Sequence, residues 1–352
     1  MKVDLEELKK RADYINYQKH PTLDLLIFNY NQHCQFERKW DEYTLMARGL
    51  ITDLEGNIVS RPFRKFFNWG EYNVDVKIMV RDNPIIYQKF DGSLGIQYYD
   101  GDVPRIATRG SFSSDQALWA SGWMITSGFR KSDFLDGKTY LWEIIYPENR
   151  IVVNYGDRAE LVLLAVVDTE TGQEDPSYFV ESEGERLKVA FAKHLVYEKM
   201  EEVISNVPKD EEGYVFHWPL YGYRLKVKGE EYVRLHRLLT QISSKSIWEL
   251  LKNNQSFDEL LEKVPDEFFD WVTETRDGLI HKYFERLEEA RKALSNVGDD
   301  WTRKNKALFI VDQKAELRPV MFALIDHKDP WVIIWRQLKP KFEKAFSKDI
   351  DA

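Results

Sequence analysis

The segment Pro84-Ile85-Ile86-Tyr87-Gln88-Lys89-Phe90-Asp91-Gly92-Ser93-Leu94-Gly95-Ile96-Gln97-Tyr98-Tyr99 reads as strand, tight turn, strand. β-branched and aromatic residues fill both arms, and Asp91-Gly92 marks the break. A lysine at the end of a strand, followed by a glycine turn, can present its amine to a pocket where the backbone also approaches a ligand closely. The K-x-D-G pattern is weak by itself, since chance places it in about one chain in ten of this length. An exposed turn with a solvated lysine is the plain alternative. The decision therefore falls to the surrounding sequence.

Outward from this segment, about Leu25 to His236 reads as short strands separated by turns. Strands are expected at Thr139 to Ile145, Leu161 to Val167, Gly213 to Phe216 and Tyr223 to Lys228. The turns are Asp100-Gly101-Asp102, Thr171-Gly172 and Pro219 to Gly222. Helical interruptions are expected at Ser113 to Gly122 and Gly184 to His194. After Ser244 the texture turns helical. Ser256 to Glu259 has capping-box spacing, and Leu279, Ile280, Tyr283, Phe284, Leu287, Ala290 and Leu294 recur at helical period. Further helices are expected at Trp301 to Gln313, Glu316 to Ile325 and Trp331 to Phe346. The expected fold is thus α+β, a mixed, largely antiparallel sheet domain over residues 1–244 followed by an all-α domain over residues 245–352.

With 352 residues, 43% hydrophobic and 14% aromatic, the chain can bury a substantial core. No apolar run approaches the ~20 residues of a membrane span, and the charged start, Met1 to Arg11, is unlike a signal peptide. A cytoplasmic, non-membrane protein is expected. Cys34 is the sole cysteine, which excludes an internal disulfide and a thiolate zinc cage, and it reads as a half-buried residue near a strand end. Net charge is −9; residues 245–352 carry 19 Lys+Arg against 21 Asp+Glu, and residues 1–244 carry 31 against 38. Neither part is basic overall, so any nucleic-acid contact needs a local patch. The seven histidines show no metal-ligand spacing, and His236 reads as structural.

Four segments in fixed order change the standing of Lys89: Lys89-Phe90-Asp91-Gly92, Leu141-Trp142-Glu143-Ile144-Ile145, Glu212-Gly213-Tyr214-Val215 and Leu225-Lys226-Val227-Lys228. Their order resembles the covalent nucleotidyltransferases, the superfamily of polynucleotide ligases and RNA capping enzymes. Ala47-Arg48-Gly49, Arg61 to Asn68, Pro147 to Val152 and Lys228 to His236 are similar to the RNA ligase 1 family of phage tRNA-repair enzymes. The likeness covers about Phe28 to His236. Beyond residue 245 it is one of class only, since that family also ends in a helical domain, whereas DNA ligases and capping enzymes carry a β-barrel there.

The resemblance implies a nucleotidyltransferase (ATP-grasp-like ligase) fold and an ATP-dependent RNA ligase. Lys89 would attack ATP to form lysyl-AMP, AMP would pass to an RNA 5′-phosphate, and a 3′-hydroxyl would seal the strand. A lysine nucleophile must be neutral, although its free pKa is about 10.4. Lys226 and Lys228 alternate with Leu225 and Val227 and so share one side of a strand; facing Lys89, they would depress its pKa and neutralise phosphates. A solvent-facing pair is their plain alternative. Glu143 in an apolar strand is either a structural ion-pair partner or a ribose ligand; the resemblance favours the ribose. It also implies that Glu212 holds metal or the reacting phosphate and that Gly92 belongs to the nucleotide cradle. Phe67 would stack on adenine, with Tyr30, Lys65 and Arg48 as further contacts, and Tyr232 would be needed for activity. Arg109 stands where the family more often has lysine, a planar fork in place of a point charge. Asp258 falls where the family has a metal-binding aspartate.

The implied cofactors are ATP and Mg2+ (or Mn2+). The implied partners are RNA with 5′-phosphate and 3′-hydroxyl ends, including tRNA broken in the anticodon loop and recognised by the helical domain, and a separate end-healing kinase/phosphatase. For a phage-encoded protein the compartment would be the host cytoplasm. Two alternatives stay open: an RNA guanylyltransferase or DNA ligase on the same core, and an RNA-binding homologue without catalysis.

Overall fold

The computed structural model describes residues 2–71, 83–230, 232–233, 243–257, 260, 269–298 and 300–340. The chain divides into two compact units, Met1–His236 and Arg237–Ala352.

The first unit holds thirteen described strands in three sheets, mostly antiparallel. One sheet is β1 (Ile15–Lys19), β2 (Leu25–Tyr30), β3 (Arg48–Asp53) and β4 (Ile58–Ser60), in that order. The next strands are β5 (Phe67–Asn68), β6 (Ile85–Lys89), β7 (Ser93–Asp100), β8 (Val103–Ala107), β9 (Lys138–Ile145), β10 (Glu160–Asp168), β11 (Ala190–Phe191), β12 (Gly213–Trp218) and β13 (Tyr223–Lys228). They form a five-stranded sheet, β11-β10-β9-β7-β8, and a four-stranded sheet, β5-β13-β12-β6. Only the β10–β11 and β5–β13 pairs run parallel among these. The opening segment lies across two sheets: Lys89 ends β6 of one and Ser93 begins β7 of the other.

The long apolar run in β9 follows from burial on both faces. Tyr140, Trp142 and Ile144 join a cluster with the helix Asp115–Thr126 (Ala120, Met124) and the helix Ser177–Leu187 (Val180, Leu187). Leu141 and Ile145 point the other way, into clusters with Phe63 and with Tyr87 and Phe90. Glu143 shares their parity, so it lies on the face turned toward β6.

Three expectations shift. The helix expected at Gly184 to His194 runs Ser177–Leu187; Lys188, at φ 58°, ends it in the left-handed region, and Ala190–Phe191 pairs with β10. Strand pairing there overrides helical propensity. The helix expected at Ser113 to Gly122 starts later because Ser114 caps it, accepting from Ala117 N. Cys34 is fully buried, in the short helix Gln32–Phe36 that follows β2, with its Sγ donating to Lys39 O. β1 was not expected.

The second unit is helical throughout its described residues: Ser244–Lys252, Phe269–Leu294, Arg303–Val311, Arg318–Ile325 and Trp331–Gln337. Val272, Leu279, Tyr283, Leu287 and Ala290 form the buried stripe of the long helix. Tyr283 stacks on Trp335, whose carbonyl accepts from Trp248 Nε1. Phe284, expected on that stripe, is 56% exposed, because one step of about 100° carries it off the Tyr283 line. Asp258, Glu259 and residues from 341 onward lie outside the described residues, as do that part of the expected capping box and the end of the last expected helix.

Candidate active site

Register across the four-stranded sheet builds the site. Lys89 of β6 pairs with Gly213 of β12, which pairs with Lys228 of β13. One rung in, Tyr87 opposes Val215 and Val215 opposes Lys226; the next rung is Ile85, His217 and Arg224. These nine residues share one face. Ile86, Tyr214, Phe216, Leu225 and Val227 fill the cluster on the other. Tyr87 packs with Ile145 and Val162 of the five-stranded sheet. The lysine-bearing face therefore looks toward Glu143.

Glu212, just before β12, is 3% exposed and bridges two lysines: its Oε2 lies 2.7 Å from Lys89 Nζ and its Oε1 3.0 Å from Lys228 Nζ. Burial pushes its carboxyl up, but Lys89 and Lys228 outweigh burial and hold it below the ordinary value. Gly213 makes this approach possible. At φ 145° a Cβ there would meet Val227 O at 1.9 Å, so only glycine lets β12 begin this close to β13.

Glu143 contrasts with it. Burial pushes its carboxyl up to about 8, against the pull of Lys89 and with the help of Glu212. Its Oε1 accepts from Gly92 N at 3.0 Å, and a Cβ on Gly92 would lie 2.5 Å from Ile144 O. Between pH 4.5 and about 8 folded Glu143 keeps a proton that the unfolded chain has lost. Its contribution to stability is thus complete below pH about 4.5 and is lost as pH rises through about 8. Glu143→Gln keeps an oxygen for Gly92 N–H but cannot ionise. We expect the melting temperature of wild type to fall more steeply than that of the variant from pH 6 to pH 9, a difference on the order of 3 kcal/mol in stability. Parallel curves would refute the assignment.

Asp91 is a residue that sequence reasoning quoted but gave no role. Its Oδ2 accepts from Val152 N and Val153 N, both at 2.7 Å, and its Oδ1 accepts from the Tyr232 hydroxyl at 2.8 Å. Its own N donates to Tyr155 Oη. Tyr232 is buried, and its ring lies 5.1 Å from Lys228 Nζ. Asp91 thus ties the Lys89 turn to the Val152 loop and to the tyrosine behind Lys228.

A second group adjoins through β5, where Phe67 pairs with Leu225 and Asn68 with Lys226. Lys65, only 6% exposed, puts its Nζ 5.4 Å from the Tyr30 ring and 5.3 Å from each of the Trp40 and Phe67 rings. Arg109 Nη1 donates to Tyr30 Oη at 3.2 Å, and Arg48 lies 5.0 Å from the Phe66 ring. Trp40 was missed, and no periodicity could have flagged it, since it lies in the loop between two short helices. Every expected site residue except Asp258 thus falls in one of these two groups; Asp258 and His236 lie outside the described residues.

The donor set suits a nucleotide. Cations line one wall, Gly92 packs against Glu143 and Ile144 beside it, and an aromatic group with a buried lysine adjoins both. It makes no metal cage of its own: among the described residues no group of three His, Cys, Asp or Glu could hold an ion. Both Asp91 oxygens and both Glu212 oxygens are already engaged. Among the described residues, no helix is long and apolar enough to cross a membrane.

Residues 46–232 match the family described as RNA ligase. An RNA ligase of Rhodothermus phage RM378 is 26% identical over 317 residues, covering 69% of this chain and 70% of the relative. A putative RNA ligase of Thermovibrio ammonificans is 30% identical over 246 residues, 62% of this chain and 58% of that protein. A putative bifunctional polynucleotide kinase/RNA ligase of Autographa californica nuclear polyhedrosis virus is 26% identical over 279 residues, 71% of this chain and 38% of the relative. The chain spans less than two thirds of the length of the last two. The matched span exceeds half of the chain and contains Lys89, Glu143, Glu212, Lys226, Lys228 and Tyr232, and on that ground the chain belongs to the RNA ligase family.

Proposed function

We propose that this protein is an ATP-dependent RNA ligase working through lysyl-AMP at Lys89. The observation that carries this is the bridge of Lys89 and Lys228 by one buried carboxylate, with Lys226 one rung away on the same face. Lys89 Nζ forms a bond to the α-phosphorus of ATP as the bond to pyrophosphate breaks. The RNA 5′-phosphate then takes the AMP, freeing the lysine, and a 3′-hydroxyl displaces AMP to close the strand.

In the resting protein Lys89 Nζ is paired with Glu212, and an amine must give up its proton before it attacks. An entering triphosphate competes for Lys228 and Lys226. As Lys228 turns to phosphate, Glu212 loses one of the two cations that hold its carboxyl low and becomes a better acceptor for the Lys89 proton. Lys226 and Lys228 then face the charge that builds on the leaving pyrophosphate. Phe67, Tyr30 and Lys65 take the base side, Arg48 and Arg109 border it, and protonated Glu143 offers a donor to the ribose. Tyr232, tied to Asp91, supports Lys228. Mg2+ (or Mn2+) bound with the triphosphate would supply charge neutralisation there, and Asp258 is the residue the family pattern offers to hold it.

The substrate reading is an RNA with 5′-phosphate and 3′-hydroxyl ends, such as tRNA broken in its anticodon loop, with the helical domain over residues 245–352 reading its shape. End healing falls to a separate kinase/phosphatase; the Autographa californica nuclear polyhedrosis virus relative is named for a polynucleotide kinase beside its ligase. The setting is the cytoplasm, that of the host for a phage protein.

Incubation with α-labelled ATP and magnesium, followed by denaturing electrophoresis, tests the reading. Labelled protein that passes its label to a 5′-phosphorylated RNA is expected. Absence of label on wild type would overturn it in favour of an inactive homologue, and labelling from GTP alone would move the protein to the capping class.

A further inference from the structure

Two rungs inward from Lys228, the face that carries the lysines ends in an ion pair that takes no part in the bond-making steps. Arg224 of β13 meets Glu174, which follows the turn after β10, through both carboxylate oxygens: Nε to Oε1 at 2.9 Å and Nη2 to Oε2. The two side chains are 10% and 18% exposed. Burial pushes Glu174 up, yet Arg224 outweighs it and keeps the carboxyl ionised. The guanidinium lies 4.5 Å from the Phe63 ring and 5.7 Å from the Tyr87 ring. His217, one strand over, is 5% exposed; burial and Arg224 push it down to about 4, so it stays neutral beside the pair.

The location gives this pair its meaning. Glu174 is bridged to Val167 of β10, in the sheet that carries Glu143 on β9, and Arg224 is on the strand that carries Lys226 and Lys228. The pair therefore fastens together the two sheets that wall the site, at the end away from the lysines. Four residue steps along the strand lead from Arg224 to Lys228, roughly 13 Å at 3.3 Å per step. A buried bidentate contact fixes orientation as well as distance, since the planar fork accepts a carboxylate in few ways. We infer that Glu174 and Arg224 are positioning residues: their bidentate pair sets the spacing and tilt of β13 against β9 and so aims Lys226 and Lys228 at the reacting phosphates.

Apolar replacement of both partners of a buried ion pair is often neutral for stability, whereas removal of one leaves a lone buried charge. That asymmetry separates aiming from holding. The double variant Glu174→Met/Arg224→Met fills similar volume without the fork. We expect it to melt near the wild-type temperature but to form lysyl-AMP about a hundredfold more slowly at saturating ATP, the scale of a 1 Å misplacement. Arg224→Lys keeps the charge and one contact; it should recover part of that loss. A double variant with wild-type melting and a rate within about twofold of wild type overturns the proposal. Should the double variant unfold below the assay temperature, Arg224→Lys decides alone, and a wild-type rate there overturns it equally. The inference rests on the ligase reading. Failure of wild type to take label would end that reading, whereas normal wild-type labelling matched by the variants would end only this one.

Discussion

Lys89→Ala is expected to lose all covalent labelling from α-labelled ATP, a fall of at least about a thousandfold, while still sealing RNA that already carries AMP on its 5′-phosphate. The split follows from where bonds form. Lys89 is needed only while its nitrogen carries AMP; once AMP is on the RNA, the attacking group is the 3′-hydroxyl and the lysine has no bond to make. The substitution also disturbs the fold little. Glu212 keeps Lys228 at 3.0 Å, so its buried carboxylate is not stranded, and Lys89 itself is 22% exposed. The melting temperature should therefore drop by no more than the equivalent of about 1 kcal/mol. Label retained on Lys89→Ala would place the nucleophile elsewhere. Loss of both activities in a well-folded variant would mean that Lys89 serves the final step as well, against the division of labour proposed.

The strands around Lys89 were legible because a buried β-segment advertises itself through β-branched and aromatic runs, and the alternation at Leu225 to Lys228 put both lysines on one side. Glu212 was legible as part of the Glu212-Gly213-Tyr214-Val215 segment, but its pairing with those lysines was not. Nothing in Asp210-Glu211-Glu212 distinguishes a solvated loop from a buried bridge; what decides it is the register of Gly213 against Lys89 and Lys228, a long-range pairing that leaves no local mark. Asp91 is similar: one carboxylate satisfying two loop amides and a tyrosine 141 residues away cannot be read from its neighbours. Glu174 and Arg224 carry no motif at all. Helix boundaries slipped where a tertiary pairing competed with propensity, as at Ala190–Phe191. Periods and motifs were thus visible in the sequence, whereas pairings between distant strands were not.

The second large effect is expected at Glu212. Glu212→Gln preserves shape but removes the charge that Lys89 and Lys228 share, leaving two ammonium groups facing a neutral amide and each other. The carboxyl is held low in the folded protein, so its stabilising contribution is present above the ordinary carboxylate pKa and is lost as pH falls through the depressed value. The variant should accordingly melt lower than wild type at pH 7, by the equivalent of about 1–3 kcal/mol, below the full cost of breaking a buried pair because Lys89 reaches solvent. The gap should close in acid, where wild type also loses the charge. Lysyl-AMP formation should fall by about a hundredfold or more, since no acceptor for the Lys89 proton remains. Adding Lys228→Met to Glu212→Gln removes the repulsion and should restore part of the melting temperature without restoring any rate. Because Lys228→Met also removes a contact to the phosphates, the double variant reports the repulsion through its melting temperature alone, and the role of Glu212 as proton acceptor is read on the single variant. A Glu212→Gln protein with wild-type melting and wild-type adenylylation would show the bridge to be idle, and the route for the Lys89 proton would then have to run elsewhere.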